Sequence, residues 1–326
     1  MTEQNKNKRI KSGLFTRTEC ILYTTDSQER RMKLSSQKPI FNFYEWLHTH
    51  HCSILGKKPI EIYVFVDPLC PKCWEIEPIL KKLQMEYGHV ISIKHILSGK
   101  LTPIADSQKA KPFKICEKTA SRTGMTCDGT ISIDQSLALR YNISIAIKAA
   151  ELQGKKYGNR FLRKLQEFHF LKNKNISEPA TLLECAKSAN IDCQEFLNDI
   201  NSNVAAKAFQ CDLKITTEMG ITETPSLVFF NQNIEDEGIK ISGLYTYDVY
   251  LSILSEMMPS LPQAAELPDI EYFVRFYNVV ATKEIAFAYN MSEDAVELAM
   301  KKLLLRRVVQ RFTTKDGSFW KYCQPE

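Results

Sequence analysis

No stretch of this chain approaches the roughly 20 consecutive apolar residues that a bilayer-spanning helix requires. The N-terminus lacks the apolar core of a signal peptide: Lys6, Lys8, Arg9 and Lys11 precede only Leu14-Phe15. These absences direct the expectation to a cytoplasmic protein without membrane attachment, in a compartment that keeps thiols reduced. Ser/His/Asp triads, Gly-rich phosphate loops and paired catalytic carboxylates are missing as recognisable motifs. A net charge of +5 over 326 residues is too mild to imply nucleic acid. Of ten cysteines, only two have tight spacing, so a structural disulfide framework is not expected. Most of the others read as small buried hydrophobes.

That pair is Cys70-Pro71-Lys72-Cys73. It follows the apolar run Ile60 to Val66 and opens the helical pattern Trp74, Ile76, Ile79, Leu80, Leu83. A dithiol between a buried strand and a helix reads as a thioredoxin-type site. The first cysteine faces unpaired N–H groups and the positive end of the helix dipole, which favours thiolate, and Lys72 would act the same way. Far downstream, Thr224-Pro225 precedes the β-rich run Ser226 to Phe230. This is where a thioredoxin fold sets a cis-proline beside its dithiol, and cis bonds are nearly confined to X-Pro.

At 44% hydrophobic residues the chain can bury real cores, and its length calls for two or more units. Residues 1–36 are polar without sustained period and read as a disordered tail, with Met32 an alternative start. Residues 37–58 form a His/Cys-rich lead-in. Strand 59–66, helix 73–87 and strand 89–97 give a βαβ unit. Four segments, 136–153, 158–172, 178–189 and 193–208, then carry apolar residues at three- and four-residue spacing. Strands 226–231 and 238–243 and helix 246–258 close the unit. The expectation is an α/β fold of thioredoxin-like, DsbA type over 59–258, split by a helical insertion at about 102–219.

A proline-bearing linker, 259–268, leads to a small unit over 269–326. Its order of helix (269–280), helix-turn-helix and a hairpin across Lys315-Asp316-Gly317 is a winged-helix pattern. The second helix of the pair starts Ser292-Glu293-Asp294, with Glu297 one turn on. Carboxylates there repel phosphate, so this unit is read as a protein-contact module rather than a nucleic-acid reader. The stripe Tyr272, Phe273, Phe276, Tyr277 reads as its core.

Two uses of the dithiol stay open. One is thiol–disulfide exchange or redox sensing, with Cys70 the nucleophile, Cys73 the resolving thiol and Pro225 the orienting neighbour. The other is a fold reused as a binding scaffold. His48, His50, His51 and Cys52 have the chemistry to hold zinc. They read equally as a polar loop with incidental histidines.

Lys57 through Trp74 resembles the SpxH (YjbH) family of ClpXP adaptor proteins. So do Ser121 to Gly129, Ala149 to Gly154, Gln210-Cys211-Asp212, Glu235 to Gly238 and Tyr245 to Tyr250. The likeness runs from about residue 48 to the end and includes the His/Cys lead-in, while Lys72 departs from the more usual acidic residue. The resemblance implies a non-enzymatic adaptor in the cytosol. Such a protein binds the regulator Spx and presents it to the ClpXP protease in unstressed cells, and oxidative or folding stress relieves the degradation.

Overall fold

The computed structural model describes residues 8–10, 58–98, 125, 137–233, 236–314 and 317–323. Strand β2 (Ile60–Val66) alternates buried and half-buried side chains at its start and is buried throughout its end. That is the pattern of a central strand covered on both faces. It runs parallel to β3 (Ile91–Leu97) and antiparallel to β4 (Ser226–Phe230), and β5 (Gly238–Ser242) pairs with β4. With β1 (Lys8–Ile10) at one edge, the sheet order is β1-β5-β4-β2-β3. On one face Ile60, Ile62, Val64 and Val66 join the main core; on the other Phe65 packs with Ile96, Met219, Ile221 and Val228.

Strand β1 (Lys8–Ile10) lies antiparallel on the outer edge of β5. The polar N-terminal segment was expected to be disordered throughout. Backbone pairing to an open sheet edge does not need an apolar period, which is why composition missed these three residues.

The helix expected over 73–87 is two helices, α1 (Pro71–Glu75) and α2 (Glu77–Tyr87). Pro78 has no N–H to give the Trp74 carbonyl, so the ladder restarts at Ile76. The described part of the insertion is helical: α3 (Leu137–Leu152), α4 (Lys155–Gln166) running into a π-turn at Glu167–Leu171, α5 (Pro179–Ser188), α6 (Cys193–Ile200) and α7 (Asn203–Glu218). The single segment 193–208 is thus divided. Asp192 caps α6 through the Glu195 N–H at 2.9 Å, and Ser202 caps α7 through the Ala205 N–H at 3.3 Å. Helix α8 (Tyr247–Met257) completes this unit.

Residues 261–269 have no regular structure; the Ala265 N–H donates to the Glu86 carbonyl at 2.8 Å, which ties this stretch to α2. Beyond it come α9 (Ile270–Tyr277), β6 (Val279–Ala281), α10 (Thr282–Tyr289), α11 (Glu293–Leu305), β7 (Val309–Thr314) and β8 (Gly317–Tyr322). The three strands form a sheet in the order β6-β8-β7, the topology of a winged helix. The sequence reading carried the first helix to residue 280 and missed β6. Asn278, at φ 64°, ends the helix in a left-handed turn, and Val279-Val280-Ala281 then pairs with Lys321, Trp320 and Phe319. Of the aromatic stripe, Phe273 is buried and Tyr277 packs beside it, but Phe276 is 39% exposed.

Candidate functional site

Cys70 stands at the N-cap of α1, after the loop Asp67-Pro68-Leu69 that follows the C-terminal end of β2. The loop before it is held by Asp67. Its carboxylate accepts the Leu69 N–H at 2.9 Å, its carbonyl accepts the Cys70 N–H at 3.0 Å, and its side chain pairs with Arg140 from α3. The Asp67 N–H in turn points at the Cys73 sulfur at 3.4 Å. Cys73 is fully buried and Cys70 is partly exposed; both thiols are free.

The Thr224–Pro225 bond is cis, as expected. The start of β4 lies against the dithiol, with the Thr224 carbonyl oxygen 3.9 Å from Cys70 Sγ. The structure thus brings Cys70 and Cys73 together with the residue that precedes Pro225, 154 positions from Cys70.

The two sulfurs are electrostatically unlike. Cys70 is held down to about 6, first by hydrogen bonding from the Cys73 thiol and then by the backbone N–H groups of Cys73 and Lys72, against a desolvation cost. Cys73 is pushed well above the ordinary thiol range by burial, then by its hydrogen bond to Cys70 and by Cys70's charge. A more accessible thiol shifted down beside a buried thiol shifted up is the arrangement that thiol–disulfide exchange uses. Lys72 contributes through its main-chain N–H; its side chain is exposed.

Behind the dithiol, Trp74 is fully buried, with the Arg163 guanidinium 4.0 Å from its ring centroid. It packs with Met125 and Phe170, and with Val279, Ala281 and Phe319 of the C-terminal unit. A second contact joins the two units nearby. Glu284 of α10 is fully buried and accepts from Lys81 at 2.6 Å, Arg163 at 3.0 Å and the Ala281 N–H at 2.8 Å. Lys82 donates to the Phe287 and Ala288 carbonyls at 3.1 and 3.3 Å and to Asn290 Oδ1 at 2.7 Å. Helices α1, through Trp74, and α2, through Lys81 and Lys82, are thus bolted to the winged-helix unit from behind the dithiol.

None of Asp67, Arg140, Trp74, Arg163 or Glu284 was singled out from sequence for these roles. For Asp67 a signal existed: an aspartate ending a strand before a Pro-bearing turn is placed to accept the N–H two residues on. No local signal pairs Lys81 with a residue 203 positions away. His48, His50, His51 and Cys52 lie outside the described residues. Among the described residues no group of three or more His, Cys, Asp or Glu is arranged to hold a metal, and no helix is long and apolar enough to cross a membrane.

With this geometry in place, the comparisons with known proteins are specific. A thioredoxin family model (Thioredoxin_5) matches residues 63–252. The ClpXP adapter protein SpxH of Bacillus subtilis is 45% identical over 283 residues, 86% of this chain and 95% of that protein. The SpxH of Bacillus cereus ATCC 10987 is 47% identical over 274 residues, 82% of this chain and 92% of that protein. This chain belongs to the SpxH family. A solved chain from Nitrosomonas europaea, provisionally described as a protein disulfide isomerase, superposes with a TM-score of 0.54 at 17% identity. It covers 61% of this chain and 97% of its own, a likeness of fold alone. The SpxH matches span nearly all of those proteins' lengths, so the family likeness is not confined to the thioredoxin part.

Proposed function

We propose that this chain is an adaptor that binds the transcription regulator Spx in the cytosol and presents it to the ClpXP protease. The observation that carries the reading is similarity at 45% identity across 95% of a protein named as a ClpXP adapter. The architecture supports it: two units joined by buried charge and apolar contacts offer one continuous body on which a client can be oriented. The test is reconstituted degradation. Spx should disappear faster with ClpXP and this chain together than with ClpXP alone; equal rates would end the reading.

The dithiol favours a second activity. The Cys70 thiolate would attack a client disulfide, and the Cys73 thiol would then resolve the mixed disulfide. That step leaves a Cys70–Cys73 disulfide and releases the client as a dithiol. The support is geometric: a partly exposed Cys70 at the N-cap of α1, a buried Cys73 one turn on, and the Thr224 carbonyl 3.9 Å from Cys70 Sγ, with the Cys70 thiol shifted downward by the hydrogen bonds around it. Reduction of insulin should then be lost on Cys70→Ala, while Spx degradation in the same variant separates exchange from delivery. Zinc held by His48, His50, His51 and Cys52 belongs to the same proposal. Purified protein should carry zinc that a His50→Ala/Cys52→Ala variant lacks; equal zinc in both would remove these residues as ligands.

A further inference from the structure

Helix α11 carries two apolar stripes on opposite sides. Val296, Met300 and Leu303 are buried against the rest of the winged-helix unit. The other side shows Leu298 at 60% and Leu305 at 85% exposure. Asp294, Leu298, Lys301 and Leu305 follow four-, three- and four-residue steps, so they line one seam, with Lys302 beside it. An isolated exposed leucine needs no account, but two on a single seam opposite a buried stripe do.

The charges on this face choose between occupants. Arg306 is paired with Glu271 at 2.9 Å and Arg311 with Glu297 at 3.2 Å. Among the described residues, Lys301, Lys302 and Arg307 have no carboxylate partner. A second copy docked about a two-fold axis at mid-seam would match Leu298 to Leu305 but set Lys301 and Lys302 against the same lysines. Like charges at the centre of an interface select against that pairing. A nucleic-acid backbone would carry phosphates along the whole seam, onto the two leucines and Asp294, whereas an amphipathic peptide can set its carboxylates at the lysines alone and its apolar side chains on the leucines.

We infer that the exposed face of α11 docks an acidic amphipathic helical segment of the client protein, whose carboxylates meet Lys301 and Lys302 while its apolar side chains cover Leu298 and Leu305. This deepens the adaptor reading and rests on it. The mode is helix against helix, with anchors at seven-residue spacing.

The experiment measures binding of purified Spx to the full-length chain at low and moderate salt. Two variants are compared, Leu298→Ser/Leu305→Ser and Lys301→Glu/Lys302→Glu, with unchanged melting curves showing that both fold. Each should weaken binding tenfold or more, and the lysine variant should also flatten the salt dependence. A photo-cross-linker in place of Leu305 should capture a peptide of Spx rich in Asp and Glu. Wild-type affinity in both variants, or capture of a basic or uncharged peptide, overturns the inference and leaves delivery to ClpXP standing. If the variants instead abolish self-association or duplex-DNA binding, the assigned occupant is wrong. Failure of the wild-type chain to bind Spx at all brings down the adaptor reading, and this inference with it.

Discussion

At the scale of single residues, the asymmetry of the dithiol makes a direct prediction. Alkylation of Cys70 should follow an ionisation near pH 6, well below that of a free thiol. Removing the hydrogen-bonding partner with Cys73→Ala should move that midpoint upward by a unit or more. The linkage has a defined sign. A thiol pKa depressed in the fold contributes stability present above the unfolded value near 9, and that stability is lost as pH falls through about 6. Chemical-denaturation midpoints of the reduced protein between pH 6 and 9 should therefore rise with pH relative to Cys70→Ala. Arg307 supplies another single-residue test. It occupies a left-handed turn at φ 59° just past α11, where helices commonly place glycine. Arg307→Gly should stabilise the protein by about 1 kcal/mol in urea unfolding.

At the scale of elements, the joint between α2 and α10 concentrates the buried charge. Burial opposes ionisation of Glu284, but the Arg163 guanidinium and Lys81 ammonium outweigh it and hold the carboxyl below its usual range. Its stabilisation is present above the unfolded carboxyl value of about 4.3 and is lost as pH falls through the lower folded value. Glu284→Ala leaves the buried Lys81 without its paired carboxylate and Arg163 with only Glu77 and Glu167, at 3.7 and 3.5 Å, and should cost about 3–5 kcal/mol in denaturant unfolding. A double replacement, Glu284→Leu with Lys81→Met, should recover part of that loss. These elements also mark the limit of sequence reading. Strand β2, the dithiol, the cis bond and β4 were legible because each carries a local signature: an apolar run, a spacing, an X-Pro step. The split of α1 from α2 was legible in principle at Pro78. Strand β6 was not, since three apolar residues after a helix resemble more helix. The Glu284–Lys81–Arg163 cluster was not, because ion pairing across a fold leaves no periodic trace.

At the scale of the molecule, the dithiol helix is the meeting point of both units. Trp74 follows Cys73 directly and packs on strands β6 and β8. Trp74→Ala should cost about 3–5 kcal/mol and raise proteolysis within residues 270–322 more than within 60–97, readable by limited digestion and mass spectrometry. The fold class and, apart from β6, the order of the C-terminal elements were readable in advance from motif order along the chain. How one unit sits on the other was not. If the whole body serves delivery rather than turnover, the dithiol is dispensable for it. The rate of Spx degradation by ClpXP with the Cys70→Ala/Cys73→Ala variant beside the wild-type chain measures this most directly. Both should accelerate degradation to the same extent; loss of acceleration in the variant, or none with the wild-type chain, would refute the delivery role.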